Sequence, residues 1–66
     1  MQIQLNGEAH RVEKEVTVAE LVEALGLAER RIAVEVNEHI VPKSSHLAMR
    51  LVEGDRIEIV HAIGGG

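Results

Sequence analysis

The sequence predicts an α+β fold in which one main helix lies across one face of a mixed sheet of four to five strands. Three observations carry that expectation. Apolar residues alternate with polar ones near the start, middle and end of the chain: Ile3 and Leu5, then Ile32, Val34 and Val36, then Ile57 and Ile59. One stretch, 17–26, has helical spacing and stop signals at both ends. Turn-forming pairs rich in Asn, Gly and Asp separate these segments. At 66 residues there is room for one small domain, near the lower limit at which a core holds alone. Cysteine is absent, so neither a disulfide framework nor a thiolate zinc site supplements that core, and the chain has no thiol nucleophile.

In the first segment Ile3 and Leu5 alternate with Gln2, Gln4 and Asn6, the period of a half-buried strand. Asn6-Gly7 is the preferred pair for a two-residue hairpin loop, so the chain doubles back through Glu8 to about Glu13. With that loop, Leu5 opposes Glu8, Ile3 opposes His10 and Met1 opposes Val12. The returning strand is polar in its first half, which suits a sheet edge. Glu13-Lys14-Glu15 reads as a solvated turn.

Thr17 and Glu20 have the spacing of a capping box, and Val16 can staple against Leu21. Val18, Leu21, Val22 and Leu25 share one helix face, while Glu20 and Glu23 point away. Gly26 supplies the left-handed residue that ends the helix, with Leu27 folding back on Val22 or Leu21. After the polar link Glu29-Arg30-Arg31, Ile32 to Asn37 form a third strand with Ile32, Val34 and Val36 inward. Asn37-Glu38-His39 is turn-like, and Ile40-Val41-Pro42 reads as a short edge strand because proline removes a ladder donor. Lys43 to His46 form a helical turn or loop before Leu47 and Leu51. Gly54 provides a positive φ in the turn Val52 to Asp55, which launches the last strand with Ile57 and Ile59 inward and Glu58 and Val60 outward.

The compact solution for this order is the β-grasp, or ubiquitin-like, arrangement, with the last strand central and parallel to the first. The expected core is Ile3, Leu5, Val18, Leu21, Val22, Leu25, Ile32, Val34, Val36, Leu47, Leu51, Ile57 and Ile59. Residues 1–61 form the domain, and 62–66 form a flexible tail ending in Gly64, Gly65 and Gly66.

A glycine run cannot pack a core and costs backbone entropy to order, so it contributes nothing inside the fold. It can thread a slot too narrow for side chains and deliver the α-carboxylate of Gly66 there. Five extended residues span about 17 Å, enough to enter a partner's buried active site. A frayed chain end or a cloning remnant also reads this way from the tail alone.

With 11 acidic and 7 basic residues the net charge is −4, which opposes phosphate attraction, and 0% aromatic content removes base-stacking platforms. These features speak against nucleic acid as a partner and favour a basic protein surface. The apolar stretches are short and broken by charge, and the start Met1 to Asn6 has no basic region and no apolar signal core, so no membrane segment and a cytoplasmic location are expected. His10, His39, His46 and His61 share no chelate spacing, so no metal site is expected. No Ser-His-Asp or paired-carboxylate arrangement can be argued either. Val60 and Ile63 are apolar at positions that do not reach the core, making them candidates for docking a partner or simply scattered exposed residues. Acidic Glu53, Asp55 and Glu58 either meet basic groups on a partner or form a solvated sheet edge.

The chain opens with Met-x-Ile-x-Leu-Asn-Gly from Met1 to Gly7, continues with Thr17-Val18 leading to Leu21 and Leu25, and then with Val36-Asn37-x-x-Ile40-Val41-Pro42. It closes with Gly54-Asp55-x-Ile57-Glu58-Ile59-Val60-x-x-Ile63-Gly64-Gly65-Gly66. In this order and length the series resembles the thiamine-biosynthesis sulfur carriers, the ThiS family, over essentially the whole chain. The small subunit of molybdopterin synthase is similar in fold and Gly-Gly end but tends to be longer and lacks the Asn-x-x-Ile-Val-Pro stretch.

The resemblance implies a protein cosubstrate rather than an enzyme, a monomer when free, with no bound cofactor. An E1-like adenylyltransferase would use ATP to adenylate the Gly66 carboxylate, and sulfur from cysteine, supplied by a cysteine desulfurase, would replace AMP to leave a thiocarboxylate. Thiazole synthase would accept that sulfur to build the thiazole of thiamine. Gly66 would bear the reacting atom, with Gly65 and Gly64 as threading residues and Val60, Ile63 and Glu58 as docking residues. The alternatives are a sulfur carrier for molybdopterin synthesis, a ubiquitin-like modifier joined to lysines, and an interaction module with an inert tail.

Overall fold

Seven short elements follow one another in the computed structural model, which describes residues 1–61; Ile63, Gly64, Gly65 and Gly66 lie outside the described residues, as does the expected tail as a whole. They are β1 (Gln2–Leu5), β2 (Glu8–Arg11), α1 (Val18–Ala24), β3 (Ile32–Val36), β4 (His39–Val41), a 3₁₀ turn (Lys43–Ser45) and β5 (Arg56–His61). The five strands form one sheet in the order β2-β1-β5-β3-β4. β5 is thus the central strand, parallel to β1 and antiparallel to β3, as the ubiquitin-like β-grasp arrangement requires.

The first hairpin has the expected register, with Leu5 opposite Glu8 and Ile3 opposite His10. Asn6 and Gly7 both carry positive φ, 50° and 84°, so the loop twists with the strands it joins. β2 ends at Arg11, two residues short of the expected Glu13, although Val12 still donates its N–H to the Met1 carbonyl at 2.8 Å.

α1 is seven residues long, too short to stand without tertiary packing. Val18, Leu21 and Val22 are buried against the sheet. All four N-terminal N–H groups of the helix find acceptors. Val18 donates to the Met49 carbonyl (2.9 Å), Ala19 to that of His46 (3.0 Å) and Leu21 to that of Thr17 (3.0 Å), while Glu20 donates to Thr17 Oγ1 (3.1 Å). Glu20 Oε1 reciprocates by accepting from the Thr17 N–H at 2.8 Å, completing the capping box. At the other end Gly26 has φ of 76°, and the Gly26→Glu23 and Leu27→Val22 hydrogen bonds form a Schellman motif.

The core is Ile3, Val18, Leu21, Val22, Val34, Val36, Val41, Leu51, Ile57 and Ile59, with Leu5, Leu25 and Ile32 half-buried beside it. Val41, which is not among the expected core residues, joins it from the edge strand. Leu47, expected inside, is 82% exposed. It lies between His46 and Met49, whose carbonyls are fixed by the first turn of α1, and Ala48 and Met49 N–H both bond back to the Ser45 carbonyl. The resulting tight turn directs Leu47 outward, and half-buried Met49 packs against the core in its place.

Candidate functional site

The chain's last strand places its residues by simple alternation. Ile57 and Ile59 face the helix and are buried, while Arg56, Glu58 and Val60 lie on the opposite, outer face. Register extends that face across neighbouring strands: Glu58 lies opposite Glu35, Glu35 opposite Ile40, and Val60 opposite Ala33. Val60 is 56% and Ile40 73% exposed. A directly opposed pair of carboxylates therefore lies at the middle of β5 on this outer face, with Ile40 level with the pair and Val60 two residues nearer the end that leads to 62–66. Like charges opposite one another on a sheet weaken it, so this pair does not serve the stability of the free domain.

β5 is held on both sides. Five residue pairs join it to β3, from Val36 opposite Ile57 to Ile32 opposite His61. On the other side the ladder to β1 covers only Gln4–Arg56 and Leu5–Ile57, because β1 then turns away. Asn6 takes over there. Its N–H donates to the Ile57 carbonyl at 2.8 Å, and its Oδ1 accepts the Ile59 N–H at 2.9 Å. Asn37 clamps the start of the strand: its Oδ1 accepts the Arg56 N–H (3.0 Å), and its Nδ2 donates to Asp55 Oδ1 (3.0 Å). Asp55 Oδ2 accepts the Val52 N–H at 2.8 Å, closing the turn that launches β5.

Of the residues singled out from the sequence, Val60 and Glu58 meet on this outer face. Asp55 does not join them, since it is only 8% exposed and both its oxygens are engaged within the fold. It is a positioning residue rather than a contact for a partner. Glu53 is turned to the first hairpin, where its Oε1 accepts the Gln2 N–H at 3.1 Å. Sequence reasoning missed Asn6, Asn37 and Ile40. The two asparagines were legible as turn residues, but Asn6 grips a strand 53 positions away, and no local pattern carries that information. Ile40 was legible as an edge-strand residue, yet its face follows only from the register with Glu35.

Among the described residues no three His, Asp or Glu side chains are placed to hold a metal ion, and no helix is long and apolar enough to cross a membrane. His46 lies within hydrogen-bond distance of the Val41 carbonyl, 3.1 Å from Nε2, tying the 3₁₀ turn to β4.

The family model described as "ThiS family" matches residues 3–66. The chain is 46% identical over its full length to the thiazole synthase of Magnetococcus marinus, of which it spans 20%. It is 35% identical to the sulfur carrier protein ThiS of Bacillus subtilis, over 97% of this chain and 98% of that protein. Its fold is similar to the crystal structure of the thiamine biosynthesis protein ThiS from Geobacter metallireducens, with a TM-score of 0.88, 29% identity and complete coverage of both chains.

Proposed function

Because this chain belongs to the ThiS family, we propose that it is a sulfur carrier in thiamine biosynthesis and acts as a protein cosubstrate rather than an enzyme. The observation that carries the reading is the central position of β5: the strand leading to Gly64-Gly65-Gly66 is the best-anchored one in the sheet. A partner that grips the domain thereby holds His61, the last residue of that strand, in a fixed place. About 17 Å of extended chain over residues 62–66, its last three residues without side chains, then reaches an active site that excludes water.

The chemistry asked of Gly66 needs that arrangement. A carboxylate is a poor electrophile, and transfer of AMP from ATP by an E1-like adenylyltransferase gives it a good leaving group. Sulfur that originates from cysteine and is carried by a desulfurase as a persulfide then displaces AMP, and a second thiol reductively cleaves the resulting acyl disulfide, leaving a thiocarboxylate and a disulfide. Thiazole synthase accepts the sulfur. Two thiazole synthases contain a segment similar to this chain, which supports that partner. The catalytic groups belong to the partners, as does the ATP, and this chain supplies the reacting atom. Docking falls to Val60, to Ile40 two strands away on the same face, to Ile63 further along, and to Glu58 with Glu35 facing basic groups of the partner.

The test is the intact mass of the native, untagged protein after incubation with ATP, cysteine, and the desulfurase and E1-like enzyme of its own host. A gain equal to exchanging one oxygen for sulfur, absent when Gly66 is deleted, is the expected result. An unchanged mass with enzymes shown to be active would overturn the reading.

A further inference from the structure

The ladder between β1 and β5 ends at the pair Leu5–Ile57, although β5 runs on through Glu58, Ile59, Val60 and His61. Over that last stretch β5 keeps its ladder to β3 on one flank. On the other flank the last grip among the described residues is the Asn6 side chain, whose Oδ1 accepts the Ile59 N–H at 2.9 Å. The backbone of Asn6 turns away at this point, with φ of 50°, so its side chain supplies the acceptor that a longer β1 would have supplied from a carbonyl. A longer β1 would hold Ile59 as well. It would also run alongside Val60 and His61, where a partner needs room around the outgoing chain. Turn geometry alone does not call for the side chain, because Asp-Gly and Gly-Gly close the same two-residue loop, and glycine would leave the N–H of Ile59, a residue only 7% exposed, without this acceptor.

We propose that Asn6 is a positioning residue for the reaction at Gly66: by holding the Ile59 N–H it sets the direction in which β5 delivers the reacting end. The inference rests on the carrier reading above and adds which residue aims the carboxylate. Gly66 lies seven residues beyond Ile59, a span of about 24 Å when extended, so a tilt of about 5° at Ile59 moves the far end by about 2 Å. Misplacing a reacting group by about 1 Å can cost about a hundredfold in rate. The enzyme's slot corrects part of such an error, but fewer bound complexes then hold the carboxylate in reach of ATP, and that fraction enters kcat. Docking through Val60, Ile40 and Glu58 is left as it was, so KM is spared.

The experiment compares three variants. Asn6→Gly keeps a loop that suits the turn and removes the acceptor, whereas Asn6→Asp keeps both the loop and an oxygen acceptor. Thr17→Ala is the control, a helix cap with no part in the grip on β5. Circular dichroism checks that each folds, and urea midpoints compare their stability. In ATP–pyrophosphate exchange with the host's E1-like enzyme, Asn6→Gly should lower kcat about tenfold with KM within about twofold of the wild type. Asn6→Asp should recover kcat to within about threefold, and Thr17→Ala should leave it within about twofold. In the free proteins the Ile59 amide should exchange with solvent at least about tenfold faster in Asn6→Gly than in the wild type or Asn6→Asp, read by NMR. An ester in place of the Ile59 amide, made by chemical synthesis of the 66-residue chain, removes the same hydrogen bond with Asn6 in place and should lower kcat alike. An unchanged kcat in Asn6→Gly, with its Ile59 amide exchanging fast, would overturn the inference and leave the carrier reading intact. An equal fall in kcat for Thr17→Ala would reduce the matter to stability, and a rise in KM alone would make Asn6 a docking contact; either would overturn it as well. Absence of exchange with the wild type and an active enzyme would overturn both the inference and the carrier reading.

Discussion

Asn37→Ala should be among the most damaging single substitutions outside the apolar core. The side chain does two things: Oδ1 accepts the Arg56 N–H at 3.0 Å, and Nδ2 donates to Asp55 at 3.0 Å. Loss of the first bond costs about 1 kcal/mol, and loss of the second, which ends on a carboxylate, about 1.5–3 kcal/mol. Asp55 is 8% exposed, so water cannot freely replace the missing donor. The backbone adds a further term. Asn37 has φ of 52°, a left-handed conformation that asparagine tolerates and alanine adopts only at a cost of about 1–2 kcal/mol. Asn37 is only half-buried, and partial rehydration offsets some of this, so the net loss should be about 3 kcal/mol. A domain of 66 residues has roughly 3–10 kcal/mol in total.

Urea denaturation followed by far-UV circular dichroism suits a chain without Trp or Tyr. Asn37→Gly separates the two contributions, because it removes both hydrogen bonds but accepts the positive φ; its loss should be about 1 kcal/mol smaller than that of alanine. A double-mutant cycle of Asn37→Ala with Asp55→Ala should give a coupling of at least about 1 kcal/mol. An alanine variant within about 0.5 kcal/mol of the wild type would refute the clamp, and an absent coupling would refute the role given to Asp55.

Glu38 occupies the second loop position of the β3–β4 hairpin with φ of 71°, where glycine is preferred. Glu38→Gly should therefore stabilise the domain by about 1 kcal/mol, read as a higher urea midpoint with unchanged slope; a lower midpoint would show that the Glu38 side chain contributes more than its backbone strain costs. Thr17→Ala removes the hydroxyl that accepts the Glu20 N–H and should cost about 1 kcal/mol in the same assay, whereas no measurable loss would mean that water caps α1 equally well.

The elements that the sequence made legible are those whose signals are local. Thr17 and Glu20 lie three positions apart, Gly26 directly follows the C-cap Leu25, and Asn6-Gly7 needs no distant partner to set its turn, so the helix caps and first hairpin could be read by inspection. Alternation placed Ile57 and Ile59 inside and Val60 outside for the same reason. Leu47 and Leu51 show where this stops. Both are leucines in an irregular segment with no period to assign a face. Leu51 is 2% exposed because its N–H is tied to the Val16 carbonyl, and Leu47 is 82% exposed because its neighbours are tied to α1. Backbone hydrogen bonds to residues more than twenty-five positions away decide between them, and composition does not record those.

The candidate site divides along the same line. Val60 and Glu58 were legible as outward residues of a strand, but Glu35 and Ile40 share their face only through strand register. Asp55 marks the sharper distinction. An acidic residue beside the final strand reads as a surface charge, yet burial and two hydrogen bonds turn it into part of the clamp that fixes where β5 begins. On the proposed carrier reading, the glycine run can be side-chain-free because the specificity it lacks falls to the sheet that precedes it. Asn37 and Asp55 secure the start of β5, Asn6 its middle and the ladder to β3 its end; on the carrier reading proposed above, the outer face then guides the partner, so the reacting end needs only reach and thinness.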